Sequence, residues 1–213
     1  MKMTSSSSHD FLLPTDTRLN NVSREISAEE IGSEFLNSLC LKMESIAMDE
    51  RDAEHPDLPS LVGLAGPQVG EFVRIILFDM QADDSKTNPN PDIRFVVNPR
   101  IITASNEREL GREGCYSTAD IRAVVNRHRS LIVAGLDKVG KPILYELEGF
   151  QARIVQHEID HLDGIRCPDR IDSLSHLHQV SDSEFQDYRE NWATWDKFYE
   201  IEDWLKIKSG GSV

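Results

Sequence analysis

Two histidines stand four residues apart in residues 156–164, which read Gln-His-Glu-Ile-Asp-His-Leu-Asp-Gly. On a helix, His157 and His161 lie one turn apart on the same face, so both rings can bind one metal ion. Glu158 follows the first histidine and would stand beside that ion, where a carboxylate can accept a proton from an attacking water. The spacing therefore predicts a metal-dependent hydrolytic site.

Two imidazoles hold a divalent ion weakly, so an open catalytic site needs a third protein ligand. Cys115 is one candidate, because it lies in a Glu-Gly-Cys-Tyr-Ser segment between two strand-like runs. Cys167 is a second, because it falls where the extended zinc-protease pattern places its last histidine. Glu184 is a third, because it would complete a set of two histidines and a glutamate. The three readings imply different enzymes, the last two a zinc endopeptidase.

The whole-chain composition excludes several classes of partner. The chain has 213 residues and a formal net charge of −14, which opposes binding to DNA or to an anionic membrane. It has no apolar run near the roughly 20 residues needed to span a bilayer. Its three widely spaced cysteines are typical of free thiols or a metal site. These features predict a reducing, cytosolic compartment. The expected address is a bacterial-type cytoplasm, and an organelle stays open as the alternative.

The N-terminal half predicts a disordered lead-in, a helix and a β-rich region. Residues 1–10 are polar and Ser-rich and have no hydrophobic signal core. Ser27 and Glu30 form a capping box, which predicts a helix to about Met48. The apolar stripe predicted for it comprises Ile31, Phe35, Leu39, Met43 and Ile46. Charged, proline-containing loops are predicted at residues 49–60 and 80–92. Between Val73 and Gly149 short β-rich runs predict a mostly antiparallel sheet.

Helical periodicity returns from Phe150, which shares one apolar face with Ile154 and the two histidines. Aromatic residues between 185 and 199 then suggest a further amphipathic helix, with its rings used for packing. We expect an α+β fold with mostly antiparallel β-sheets packed around a central HExxH helix, and with an N-terminal and a C-terminal helix. We expect a lead-in at 1–10, a catalytic domain at 11–175, and a helical extension at 176–213.

A third segment, besides those that contain Cys115 and the two histidines, makes the prediction of a metal-dependent hydrolase more specific. Residues 61–70, Leu-Val-Gly-Leu-Ala-Gly-Pro-Gln-Val-Gly, would let a backbone approach a ligand closely, and Gln68 adds an amide donor. Taken alone, this segment is a glycine-rich turn. Together, the segments LVGLAGPQ, EGCYS and QHEIDHLDG resemble the peptide deformylase motifs GxGxAAPQ, EGCxS and QHExDHLxG. The resemblance extends from about Phe11 to Arg170.

The resemblance implies that Cys115, His157 and His161 bind a metal. In this family the ion is typically ferrous iron, and zinc, nickel or cobalt can replace it. Glu158 would take a proton from the attacking water and pass it to the departing amine. The substrates would be N-formyl-methionyl peptides or nascent chains. The C-terminal segment is acidic, which does not support docking to a ribosome.

The resemblance also implies roles for residues around the reacting carbonyl. The side-chain amide of Gln68 and the backbone N–H of Tyr116 would stabilise the oxyanion. Gly63, Glu113 and Arg122 would form or border the substrate groove, and an exposed ion pair is the alternative reading for the last two.

Three positions depart from the family pattern. Leu61 stands where the first motif begins with glycine, Gly66 replaces an alanine, and Tyr116 replaces the commoner leucine. Leu61 adds bulk to the substrate side. This departure predicts a narrower groove, and it keeps open an altered substrate range or a loss of activity.

Overall fold

The computed structural model describes residues 11–49, 61–84 and 90–212. The predicted lead-in at 1–10, nearly all of the loop at 49–60, and residues 85–89 of the second loop lie outside this part. Eight strands are described: β1 Gly63–Ala65, β2 Ile75–Asp79, β3 Ile93–Ala104, β4 Arg108–Glu113, β5 Ile121–His128, β6 Ser130–Leu136, β7 Pro142–Glu148 and β8 Leu177–Gln179. Four α-helices accompany them: α1 Glu34–Asp49, α2 Gly149–Leu162, α3 Phe185–Asn191 and α4 Ile201–Lys208.

The strands form two antiparallel sheets. One has five strands in the order β1-β2-β3-β6-β7, and the other has three in the order β4-β5-β8. An isolated parallel bridge joins Arg24 and Val73. The expected α+β class with mostly antiparallel pairing is confirmed. The sequence did not predict β1, because three residues are too few for a periodic pattern, and it did not predict the equally short β8.

Both faces of the sheet are covered at β2, which explains why its first four residues are all apolar and buried. Ile75 and Leu77 point into a cluster with α1, while Ile76 and Phe78 point into a cluster with α2. Helix α2 also contacts β5 of the second sheet. The helix that carries the two histidines is therefore packed against both sheets.

The N-terminal helix begins later than predicted. The backbone N–H of Ser27 donates to Glu30 Oε2 at 2.9 Å, as a capping box requires, but the interaction closes a turn. Gly32 follows with a φ of 74°, which a continuing right-handed helix cannot accommodate. Helix α1 starts at Glu34. Phe35, assigned to the apolar stripe, is 37% exposed, so that part of the prediction is wrong.

The predicted C-terminal helix is two helices with an extended segment between them. The N–H of Gln179 donates to the carbonyl of Lys197 at 2.9 Å, and the N–H of Tyr199 donates to the carbonyl of Leu177 at 2.9 Å. These bonds to β8 use backbone groups that a continuous helix would need. Helix α4 then buries Trp204 completely against β5. Among the described residues, no helix combines the length and the apolar character needed to cross a membrane.

Candidate metal centre and active site

The fold brings the three predicted metal ligands together. His157 and His161 project from α2, and Cys115 lies in the loop between β4 and β5. Their ligand atoms all lie within 4.8 Å of one another, and Cys115 Sγ is 3.6 Å from His161 Nε2. A sulfur and a nitrogen bound to one tetrahedral ion stand about 3.5 Å apart. Over the described parts of the chain, this is the group of His, Cys and acidic residues that could hold a metal.

The surroundings of Cys115 favour its thiolate. A hydrogen bond from the Cys167 thiol and the nearby His161 and His157 rings hold the pKa of Cys115 well below its ordinary value, although burial acts in the opposite direction. The bond to Cys115, together with burial, raises the pKa of Cys167 well above the usual range. Thiolate is the form of cysteine that binds metals, so the donor set fits a divalent ion.

His157 is fixed by a carboxylate behind it. Its Nδ1 lies 3.0 Å from Glu113 Oε2, so its Nε2 is left to face the other ligands. Metal-binding histidines are commonly oriented in this way, because the partner sets the tautomer and the ring angle. Burial lowers the pKa of His157, but hydrogen bonds with Cys115 and Glu113 outweigh it and raise that pKa. The anionic surroundings that attract a proton would equally attract a cation.

Glu113 belongs to a buried charge network. Arg127 donates to both of its oxygens at 2.9 Å, and Arg153 donates to Oε1 at 2.9 Å. Arg127 also bonds Asp160 at 2.6 Å, and Arg170 closes the network on Asp160. Burial acts to raise the pKa of Glu113, but Arg127 outweighs it and holds that pKa well below the ordinary value. Glu113 is therefore ionised where it supports His157.

Glu158 faces the same space from α2 but is not one of the grouped ligands. Its Oε2 is buried and has no hydrogen-bond partner among the described residues. Burial raises the pKa of Glu158 to about 7, although the nearby His157 and His161 lower it. A carboxyl with such a pKa can gain and lose a proton near neutral pH.

Gly63 packs directly against this carboxylate. A Cβ added to Gly63 would overlap the Glu158 carboxylate and would lie 2.8 Å from Ile154 Cγ2. The glycine is required by space, because its backbone is in a strand and not at positive φ. The small residue predicted to allow close approach therefore admits the side chain of the expected base.

Gln68 lies in the short 3₁₀ helix Gly66–Val69 and is 2% exposed. The N–H of Ala65 donates to Gln68 Oε1 at 2.8 Å, which fixes the amide orientation. The amide nitrogen then faces Ser117 Oγ at 3.5 Å, two residues after Cys115. An oriented N–H donor is thus aimed at the edge of the metal centre.

Tyr116 and Leu61 shape the substrate side. The Tyr116 ring stacks on Phe11, with centroids 4.4 Å apart and planes 18° apart. Leu61 is partly buried against the core cluster that includes α1. Both side chains line the pocket described next. The departures from the family pattern therefore alter the wall of the site and leave its chemical groups in place.

A pocket of about 440 Å³ opens beside these groups. Cys115, His157 and Glu158 line one part of it. Further lining residues come from the N-terminal loop, the first motif, β4, β5 and the C-terminal segment: Phe11, Leu12, Leu13, Pro14, Leu61, Val62, Gly63, Gln68, Arg112, Glu113, Arg122, Phe150, Ile154, Phe185, Tyr188 and Arg189. Sequence reasoning missed the last three as pocket residues, because they lie far from every motif.

Glu113 and Arg122 both line the pocket but do not form an exposed ion pair with each other. Glu113 is buried in the charge network, whereas Arg122 donates to the carbonyls of Ala119 at 2.7 Å and Ile121 at 3.0 Å. The Arg122 side chain covers Gly114, where an added Cβ would overlap it. Gly114 is required here by space, since its φ is not positive.

The rival third ligands lie elsewhere. Cys167 is 1% exposed, packs in the hydrophobic cluster around β5 and contacts Cys115, but it is not one of the grouped ligands. Glu184 pairs with Lys197 and accepts from the Ser181 hydroxyl at 2.7 Å. Neither belongs to the group that could hold a metal. Without Cys167 or Glu184 in the group, the zinc endopeptidase hypothesis has no third metal ligand.

The Polypeptide deformylase family model matches residues 10–176 of the chain. The chain belongs to this family. Members of the deformylase family are metalloenzymes, which agrees with the Cys/His/His group described above. The matched residues contain all three motifs and end before α3, so the C-terminal pocket residues lie outside the family match.

Similar proteins include deformylases from plants and bacteria. Peptide deformylase 1A, chloroplastic, of Solanum lycopersicum is 34% identical over 76% of this chain and 59% of its own length. Peptide deformylase 1 of Xanthomonas campestris pv. campestris is 36% identical over 75% of this chain and 87% of its own. The chain therefore spans only about three-fifths of the tomato protein.

A class I type b peptide deformylase from Acinetobacter baumannii, solved with Met-Ala-Ser bound, has a similar fold. The TM-score is 0.65 and the identity is 32%, over 76% of this chain and 96% of that one. The agreement extends the deformylase likeness from sequence motifs to the arrangement of sheets and helices.

Proposed function

We propose that this chain is a metal-dependent peptide deformylase, which hydrolyses the N-formyl group from the N-terminal methionine of newly made polypeptides. One observation supports this most strongly. Cys115, His157 and His161 converge at a pocket beside Glu158, whose buried Oε2 has no hydrogen-bond partner among the described residues. These ligands would hold Fe²⁺, with Zn²⁺, Ni²⁺ or Co²⁺ able to replace it, because a sulfur and two nitrogens suit such ions.

When bound, the cation supplies Lewis-acid polarisation of the reacting carbonyl. Glu158 accepts a proton from the attacking water and delivers it to the departing amine. Its pKa of about 7 suits both transfers, since a base that is too weak or an acid that is too weak would slow one of them. Gly63 keeps the carboxylate in place by leaving room for it.

The negative charge that develops on the formyl oxygen needs donors already in position. Gln68 meets this need, because its carbonyl is tied to the N–H of Ala65, which leaves its amide nitrogen as a donor on the side of Ser117, and the residue lines the pocket. We assign the second donor to the backbone N–H of Tyr116, whose position next to Cys115 is fixed by ring stacking on Phe11.

The remaining pocket residues would bind the peptide. Gly63, Leu61, Glu113 and Arg122 stay assigned to the substrate side, with Glu113 acting mainly through His157. Phe150 and Ile154 of α2 add apolar surface near the histidines, which suits the methionine side chain.

N-formyl-methionyl peptides are the proposed substrates, and no binding to a ribosome, DNA or membrane is proposed. The proposed location is a bacterial-type cytoplasm, with an organelle as the alternative. The bacterial and chloroplastic relatives support these two compartments.

Formate release tests the function. Protein loaded with Fe²⁺ without air is expected to release formate from formyl-Met-Ala-Ser. Glu158→Gln should lower kcat by about 10²- to 10⁴-fold while the metal content stays the same, because Glu158 is not a ligand. Full metal loading with no turnover of any formylated peptide would instead favour a repurposed or inactive protein, as the bulk of Leu61 suggests.

Cobalt substitution tests the ligand set without turnover. The Co²⁺ form should show the near-ultraviolet charge-transfer band of a thiolate bound to the ion. Cys115→Ser should lose the band, and Cys167→Ser, which retains a hydroxyl donor towards Cys115, should keep it. The reverse pattern would restore the endopeptidase reading.

A further inference from the structure

We propose that the C-terminal segment forms a specificity wall of the pocket and selects peptides with an apolar side chain beyond the formylated methionine. This inference rests on the proposed function. The wall comprises Asp182, Phe185, Tyr188 and Arg189, which line the same cavity as Cys115, His157 and Glu158. We call this set the C-terminal wall.

The wall lies outside the residues that the family model matches. The family model ends at residue 176, whereas the wall begins at Asp182. The ribosome-docking role considered for the C-terminal segment is disfavoured by its acidic charge. Because residues of this segment line the pocket, we assign the segment a role in selecting the peptide instead.

Asp84 links α3 to the rest of the protein beside the cavity. Arg189 Nη2 donates to the carbonyl of Asp84 at 2.5 Å, and Arg112 Nη2 donates to Asp84 Oδ1 at 2.6 Å. Asp84 follows β2, and Arg112 lies in β4. Helix α3 is thereby joined, through Asp84, to both sheets at the rim of the pocket.

The base of the wall is rigid. Tyr188 is fully buried, its hydroxyl lies 3.1 Å from His178 Nδ1, and its ring packs edge-on against Trp195 at 5.2 Å. Phe185, one turn earlier, is only partly buried. The Arg122 guanidinium lies over its ring, 5.6 Å from the centroid. A fixed aromatic surface therefore borders the cavity.

The guanidinium groups of this region are already engaged. Arg112 is paired with Asp84, Arg189 binds a backbone carbonyl, and Arg122 binds the carbonyls of Ala119 and Ile121. An acidic substrate side chain would have to displace one of these bonds. An apolar side chain would break none of them and would bury the accessible part of the Phe185 ring.

The test compares three peptides that share the formylated residue: formyl-Met-Ala-Ser, formyl-Met-Leu-Ser and formyl-Met-Ala-Leu. The wild-type, metal-loaded protein should have a higher kcat/KM for at least one leucine peptide than for the alanine–serine peptide. Phe185→Ala should lower that preference by about tenfold, since an apolar contact is removed. Phe185→Leu, which keeps an apolar surface, should lower it by less than threefold.

Phe198→Ala is the matched control. Phe198 lies in the same C-terminal segment, is 52% exposed and does not line the pocket, so its removal should leave the preference unchanged. In Phe185→Ala, an equal loss of kcat/KM for all three peptides, or an unchanged preference for the leucine peptide, would overturn the inference. Circular dichroism and urea unfolding of each variant establish that the compared proteins are folded.

Binding of deformylated products separates this inference from the proposed function. Calorimetry with Met-Ala-Ser, Met-Leu-Ser and Met-Ala-Leu measures the affinity of the pocket for each product peptide, whether or not formate is released. A preference for leucine products that disappears in Phe185→Ala supports the wall even if turnover fails. Formate release by wild type with no such preference in either assay would reject the wall alone.

Discussion

The metal centre and the C-terminal wall border one cavity, but different forces hold them. At the metal centre, Glu113 and Arg127 have side chains only 4% and 7% exposed, and each makes several charged hydrogen bonds. In the C-terminal segment, next to the wall, the side chains of Glu184 and Lys197 form a pair that is 26% and 56% exposed. Charges removed from water need their partners, whereas exposed charges can be rehydrated. The comparison predicts that substitutions in the buried charge network are costly, whereas substitutions of the exposed charges beside the wall are tolerated.

Breaking the buried charge network should have the largest effect. Glu113→Gln leaves Arg127 and Arg153 without their carboxylate and should lower the free energy of unfolding by about 3 kcal/mol. It should also weaken metal binding by about tenfold or more, because His157 loses the group that orients it. Urea unfolding and competition with a chelator measure the two effects. Retention of both values would show that the network does not support the centre.

Filling the space next to Glu158 should have the second-largest effect. Gly63→Ala forces the Glu158 carboxylate or Ile154 to move, which should cost about 1–3 kcal/mol of stability. Metal content should be retained, and kcat should fall more than the affinity for product peptides. Gly211→Ala is the control, because its added Cβ comes no closer than 3.1 Å to a neighbouring atom and Gly211 does not line the pocket. Equal kcat values in the two variants would argue against this role for Gly63.

Opening the substrate side should have a smaller effect. Leu61→Ala removes bulk at the start of the first motif and should lower KM for formyl-Met-Ala-Ser by about threefold to tenfold, with little change in kcat. Steady-state formate release gives both constants. A higher KM would mean that Leu61 contacts the substrate favourably instead of narrowing the groove.

Removing the exposed pair should have the smallest effect. Glu184→Gln breaks the bond to Lys197 in water, so the urea midpoint should stay within experimental error of the wild-type value. Metal binding should be unchanged, since Glu184 is not one of the grouped ligands. Loss of metal in this variant would contradict both the comparison and the choice of Cys115 as third ligand.

The sequence predicted that Cys115, His157 and His161 come together, and their ligand atoms lie within 4.8 Å of one another. Helical spacing places His157 and His161 on one face, and the family resemblance singles out Cys115 among the candidate third ligands. The role of Glu113 behind His157 was less accessible, because it depends on where β4 passes α2. Neither the sequence of β4 nor that of α2 indicates how close Glu113 comes to His157.

The C-terminal wall could not be predicted for the same reason. Its position depends on bonds between Asp84, Arg112 and Arg189, which are widely separated in sequence. The aromatic spacing suggested a single helix, but pairing of Tyr199 with β8 divides it. Phe185 and Tyr188 were expected to serve packing, and Tyr188 does so while also lining the pocket.

The burial of β2 on both faces has a consequence for motion. Ile75 and Leu77 hold one helix, and Ile76 and Phe78 hold the other, so neither layer can detach without exposing the strand between them. The amide protons of β2 should therefore exchange with solvent only when the whole chain unfolds. We therefore expect any motion that admits a peptide to the helix carrying His157 and His161 to occur in loops and side chains, and not in the strand beneath that helix.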